Sequence, residues 1–118
     1  MEDSGPLVLV VDDDPSLRFL ARVNLEIDGF QVREAASLDE ARSAVGEKRP
    51  DVVFLDIHLG SESSNPLLEE LNEAGIPVVL VTGTADVDDY RDRAHAVLGK
   101  PFLPETLVSY ARELAAVG

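Results

Sequence analysis

The sequence predicts an α/β fold: a doubly wound, five-stranded parallel sheet in the order 2-1-3-4-5. Three observations carry this. Strand-like runs alternate with helix-length stretches five times, the β-α repetition of a parallel sheet covered by helices on both faces. Val8–Val11, Val52–Leu55, Val78–Val81 and Ala96–Leu98 are continuously apolar, as strands buried on both faces are, whereas Phe30–Glu34 alternates like a half-exposed edge strand. Right-handed crossovers then restrict the order, with strand 1 beside strand 3 and the second strand at an edge.

The elements follow in order. Residues 1–6, acidic and unlike a signal peptide, read as a flexible tail, and residues 7–118 as one domain. Residues 7–11 form the first strand. Asp14 is placed to cap a helix whose first residue is Pro15, and Gly29 to end it after about Asp28. On this helix Leu17, Ala21 and Leu25 are expected to face the sheet. Phe19, Val23 and Ile27 form a second apolar stripe, either packed against the last helix or open to a partner's helices. Ser37 and Glu40 make a capping box for a second helix to about Glu47. Pro50-Asp51 leads into the central strand, 52–55. Asn65-Pro66 starts a third helix that Gly75 ends, and Pro77 leads into strand 78–81. Asp86 to Ala94 reads as a short polar helix. After strand 96–98, Pro104 sits in the first turn of a last helix running to about Val117.

The bulk properties narrow the function classes. The chain has 118 residues, 45% of them apolar, a formal net charge of −13 and no cysteine. Disulfides and thiol catalysis are excluded, and a cytoplasmic setting is compatible. So acidic a chain repels phosphate backbones, so direct nucleic-acid binding is not expected. No apolar run reaches membrane-spanning length, so no membrane partner is expected.

The chemistry lies at the strand ends. Strand 1 ends in Asp12-Asp13-Asp14, strand 3 in Asp56, strand 4 in Thr82-Gly83 and strand 5 in Lys100-Pro101. In a parallel sheet these groups gather at the carboxyl edge, beside the switch point where such folds bind ligands. Three carboxylates in one pocket repel unless a cation joins them. Mg²⁺, with Mn²⁺ as a substitute, takes hard oxygen ligands of this kind and can neutralise a transferring phosphoryl group. Thr82 and Lys100 can hold phosphoryl oxygens. Asp56, central and single on its strand, is the best nucleophile.

The runs Val11-Asp12-Asp13-Asp14-Pro15, Leu55-Asp56, Thr82-Gly83 and Lys100-Pro101-Phe102 resemble the signature of response-regulator receiver domains, over about residues 7–117. The resemblance implies a flavodoxin-like receiver fold and a cytoplasmic switch of a two-component system. Asp56 would accept a phosphoryl group from a phosphohistidine of a histidine kinase or histidine phosphotransfer protein and so control a downstream partner. Asp13, Asp56 and the backbone carbonyl of His58 would bind Mg²⁺ directly, and Asp12 through water. Thr82 and Lys100 would hold the phosphoryl oxygens, with Lys100-Pro101 as a cis peptide. Such a domain phosphorylates and dephosphorylates itself and is not a turnover enzyme.

The chain departs from the family pattern in four places. Gly60-Ser61 replaces Pro-Gly, Ser64 replaces a later glycine, Val97 replaces an aromatic, and the segment from Thr82 to Lys100 is short. The run Leu59 to Pro66, with Thr82-Gly83, is similar to a subgroup with an N-L-G-x-x-S-x-P run and a T-G-Y turn, although His58 stands for Asn and Thr84 for Tyr. Without the aromatic, the switch is expected to act through residues 83–95. Three alternatives stand beside this reading. A pseudo-receiver would bind partners without phosphorylation, but the five site residues are intact. A haloacid-dehalogenase-like Mg²⁺-dependent phosphatase would want a second Asp where His58 stands. A nucleotide-binding module would want a glycine-rich phosphate loop, and none is present.

Overall fold

Each predicted strand is present, and three of them run past the apolar residues that mark them. The computed structural model describes residues 5–83 and 90–115. The elements are β1 (Leu7–Val11), α1 (Pro15–Ile27), β2 (Gln31–Ala35), α2 (Leu38–Glu47), β3 (Val52–Asp56), β4 (His58–Leu59), β5 (Glu62–Ser63), α3 (Asn65–Glu73), β6 (Val78–Gly83), β7 (Ala96–Lys100) and α4 (Pro104–Ala115). The main sheet is parallel throughout, in the order β2-β1-β3-β6-β7. Counting only its own strands, this is the predicted 2-1-3-4-5.

The extensions matter for function. β3 includes Asp56, paired with Val81, and β6 and β7 run on until Gly83 pairs with Lys100. An apolar run ends where side chains become polar, but the backbone ladder has no such preference and continues. Asp56, Thr82 and Lys100 are therefore fixed on strands rather than hung from loops, while Asp12 and Asp13 follow the end of β1.

Alternate residues of the strands face two cores. Val8, Val10, Val52, Phe54, Val79 and Val81 pack with Ala21 and Leu25 of α1 and with Leu107 and Ala111 of α4. Leu9, Val11, Val53, Leu55 and Leu80 pack with Leu38 and Ala41 of α2 and with Leu67, Leu68 and Leu71 of α3. The helix ends follow local chemistry. The Asp14 side chain accepts from Ser16 N, and Gly29, at φ +96°, follows the C-cap of α1. Ser37 caps α2 by accepting from Glu40 N, while the Glu40 carboxylate accepts from Ala36 N, one residue before the cap.

Some expectations change. Ala21 and Leu25 are buried, but Leu17 is only half-buried. Phe19 is 67% and Ile27 80% exposed, so the second stripe of α1 is not packed away under α4. Gly5 and Pro6, read as tail, are tied to Gln31, whose backbone N–H donates to Pro6 O and whose side-chain amide donates to Gly5 O. Residues 86–89 of the predicted 86–94 helix lie outside the described residues, and positions 91–95 are turn and bend. The small antiparallel pair β4–β5 was not predicted at all.

Candidate functional site

The sheet order brings the predicted site residues together at one edge. Asp12 directly follows β1, and its backbone N–H donates to Ala35 O at 3.0 Å. Asp56 ends β3, on the next strand over. Thr82 lies on β6, one position beyond Val81, the partner of Asp56. Lys100 ends β7 and reaches back across the sheet. Its Nζ lies 3.0 Å from Asp56 Oδ2 and 3.2 Å from Asp12 Oδ2. The Lys100–Pro101 peptide is cis, as expected.

Burial differs among the acids. Asp12 and Asp56 are buried, while Asp13 is exposed at the rim. One carboxylate oxygen from each lies within 4.8 Å of the other two. Asp12 Oδ1 accepts from Asp14 N at 2.9 Å and Asp56 Oδ1 from His58 N at 3.2 Å. Asp13 Oδ2 accepts from Gly60 N at 3.1 Å. Burial pushes the Asp12 carboxyl above its usual range, and the nearby Asp56 charge pushes the same way. The Asp14 N–H and the Lys100 ammonium oppose that rise without cancelling it. Burial works against the charge on Lys100, but its hydrogen bond to Asp56 and its attraction to Asp12 and Asp56 together hold the ammonium above the usual lysine range.

Thr82 is buried, and its Oγ1 has no hydrogen-bond partner among the described residues. A buried unpaired hydroxyl costs about 1–3 kcal/mol, so it marks a place where a ligand atom can be met.

Two residues that the sequence reading gave no site role also belong here. Gly60 turns the β4–β5 hairpin at φ +61°, a conformation glycine adopts without strain, and its N–H reaches Asp13. Ser64 is buried and donates its hydroxyl to the carbonyl of Asp56 itself. Their only signal in the sequence was their departure from the family pattern. The His58 side chain is exposed, and only its backbone faces the acids.

Comparison with known proteins identifies the family. The response regulator receiver domain family matches residues 8–112. The chain belongs to that family. MtrA of Mycolicibacterium smegmatis, a DNA-binding response regulator, is 34% identical over 95% of this chain and 51% of its own length. DctD of Pseudomonas aeruginosa, a C4-dicarboxylate transport transcriptional regulatory protein, is 36% identical over 98% of this chain and 26% of its own. The chain thus spans about half or less of these relatives. Among solved structures, the receiver domain of NtrX from Brucella abortus superposes with a TM-score of 0.86 at 28% identity, covering 94% of this chain and 99% of that one. A CheY-like receiver domain protein from Methanospirillum hungatei gives 0.85 at 26% identity, covering 96% and 95%.

These relatives correct one expectation. The acidic charge suggested that direct nucleic-acid binding was absent. MtrA and the Synechocystis regulator RpaA are both named DNA-binding, and the chain covers only 51% and 48% of them. A net charge of −13 describes this stretch alone and excludes nothing about the proteins such stretches belong to. Among the described residues, no helix is long and apolar enough to cross a membrane.

Proposed function

We propose that this domain is a phosphoacceptor of a two-component system, taking a phosphoryl group from a phosphohistidine onto Asp56. The carrying observation is the meeting of Asp56 with the Lys100 ammonium and two further carboxylates, beside a strand on which the buried Thr82 hydroxyl has no partner among the described residues. Asp56 Oδ1 is held by His58 N and Oδ2 by Lys100, so the carboxylate is oriented before a donor arrives. One Asp56 oxygen forms a bond to phosphorus as the phosphorus–nitrogen bond to the donor imidazole breaks. The imidazole keeps the electron pair and takes a proton from solvent. Lys100 and Thr82 then face phosphoryl oxygens, the one as counter-charge and the other as hydrogen-bond donor.

The donor set fits a hard divalent cation. Among the described residues, three clustered carboxylates face a single ammonium, which leaves negative charge uncompensated. Asp12, Asp13, Asp56 and the His58 carbonyl would hold Mg²⁺ or Mn²⁺. The ion would supply charge neutralisation for the transferring group. A two-component kinase or phosphotransfer protein as donor goes with a cytoplasmic setting.

The test is direct. With a small phosphodonor and Mg²⁺, intact mass should rise by one phosphoryl group in the wild type and not in Asp56→Asn. A label that persists in Asp56→Asn moves the acceptor elsewhere and overturns the reading.

A further inference from the structure

Ser64, eight positions after Asp56, ties down the chain leaving β3. It is 1% exposed, and it captures two successive carbonyls of the turn leaving β3. Its hydroxyl donates to Asp56 O, and its backbone N–H donates to Ile57 O at 2.9 Å. Ser64 thereby closes the base of the hairpin whose strands pair His58 with Ser63 and Leu59 with Glu62.

The closure sets a register. In an antiparallel pair, hydrogen-bonded and non-hydrogen-bonded residue pairs alternate. With Ser64 N bonded to Ile57 O, the next pair, His58 and Ser63, takes the non-hydrogen-bonded slot. The N–H and C=O of His58 then turn away from the hairpin partner. Its N–H does so, since it donates to Asp56 Oδ1. In a strand the N–H and C=O of one residue leave on the same side, so the His58 carbonyl is turned to that side as well. A slip of one residue would turn both inward. At the other end of the hairpin, Gly60 N holds Asp13. The hairpin therefore bears on two of the three clustered acids, and Ser64 fixes its root.

We infer that Ser64 is a positioning residue of the acceptor site. Its hydroxyl, tied to the acceptor's own carbonyl, locks the register that presents the His58 backbone to the acid cluster. The inference rests on the reading of Asp56 as phosphoacceptor with a cation among the acids. It assigns the side chain at position 64 a task that a glycine there could not perform.

The test compares Ser64→Ala, Ser64→Gly and Ser64→Thr with the wild type. Mn²⁺ and Mg²⁺ affinities are measured on the folded proteins by calorimetry, and phosphorylation rates with a small phosphodonor at saturating Mg²⁺. Loss of the hydroxyl in the alanine and glycine variants should weaken metal binding by on the order of tenfold, the scale of other outer-shell contacts, and slow phosphorylation. Threonine keeps the hydroxyl and should recover most of both. A purely structural role would lower the melting temperature but leave the metal affinity of the folded protein unmoved, and that result overturns the proposal. Failure of both hydroxyl-free variants to fold overturns it too, because Ser64 is then a determinant of the fold. The wild type separates the two readings. If it is phosphorylated on Asp56 while the variants match it, only the role of Ser64 is lost. If it takes no phosphoryl group, the acceptor reading itself is lost.

Discussion

Lys100 Nζ lies 3.0 Å from Asp56 Oδ2, on strands separated by β6. In Lys100→Ala the buried Asp56 loses its counter-charge and Asp12 loses a second contact. The metal-free protein should lose about 1–3 kcal/mol, the usual cost of leaving a buried polar group unsatisfied. Mg²⁺ should restore part of that loss, because it neutralises the same oxygens. Chemical denaturation with and without Mg²⁺ checks both. A loss that Mg²⁺ leaves untouched would separate the lysine from the metal site.

Asp12 supplies a test of sign. Its carboxyl is raised, first by burial and then by the Asp56 charge. A raised carboxylate contributes stability below its unfolded pKa and loses it as pH rises through the folded pKa. Metal-free Asp12→Asn should therefore be more stable than the wild type at pH 7, and the two should converge near pH 3. The amide oxygen can still accept from Asp14 N, which keeps the local turn. Thermal melts across that pH range in chelator decide the point. A less stable variant at pH 7 would mean that the pair with Lys100 outweighs burial.

Asp13 is the exposed acid of the cluster and costs little to remove. Binding of Mg²⁺ to the folded state alone should stabilise the wild type by about 2.7 kcal/mol at a hundredfold excess over Kd. Asp13→Ala should abolish most of that gain while leaving metal-free stability within about 0.5 kcal/mol. An unchanged melting temperature across millimolar Mg²⁺ in the wild type would remove the cation from the site.

How legible was this edge in the sequence? The buried strands were, because Val, Leu and Phe without alternation leave few other readings. So were the caps at Asp14 and Ser37, whose oxygens meet the first free amides of α1 and α2. The hairpin at 58–63 was not. Its strands have two residues each, too short for any periodicity, and only Gly60 hints at the turn. The bond from Ser64 to Asp56 depends on that hairpin, so it was hidden with it. The true ends of β3, β6 and β7 were also missed, since hydropathy marks side chains and the ladder follows backbone.

The two stripes of α1 should behave oppositely. Leu25 is fully buried against β1 and β2 residues such as Val8 and Val32, whereas Phe19 is 67% exposed. Leu25→Ala should cost about 2–5 kcal/mol, the range for deleting a large core side chain. Phe19→Ala should change stability by no more than about 0.5 kcal/mol. Urea denaturation of both variants measures the contrast. An equal cost would show that Phe19 is covered in solution.

The last expectation concerns how occupation of the site is felt elsewhere. Thr82 Oγ1 is buried and unpartnered among the described residues, so a phosphoryl oxygen would give it the bond it lacks. Thr82 pairs in register with Gly99, two residues after Val97. Val97 is half-buried against the α2–α3 core, to which Tyr90 and Ala94 also pack. A valine has one stiff torsion and cannot swing between pocket and surface, so position 97 has no side chain to carry a large movement. The preceding turn is held more lightly. Arg93 N donates to Tyr90 O, Asn72 reaches Arg93 O, and Val78 N donates to the imidazole Nδ1 of His95. A turn outside the strand ladder opens at lower cost than core strands. With a beryllofluoride-type phosphoryl mimic and Mg²⁺, amide exchange should change most in residues 83–95, of which 84–89 lie outside the described residues. Strand 96–100 should change less. If 83–95 stays silent while 97–102 responds, the movement passes through β7, as it would with an aromatic at position 97.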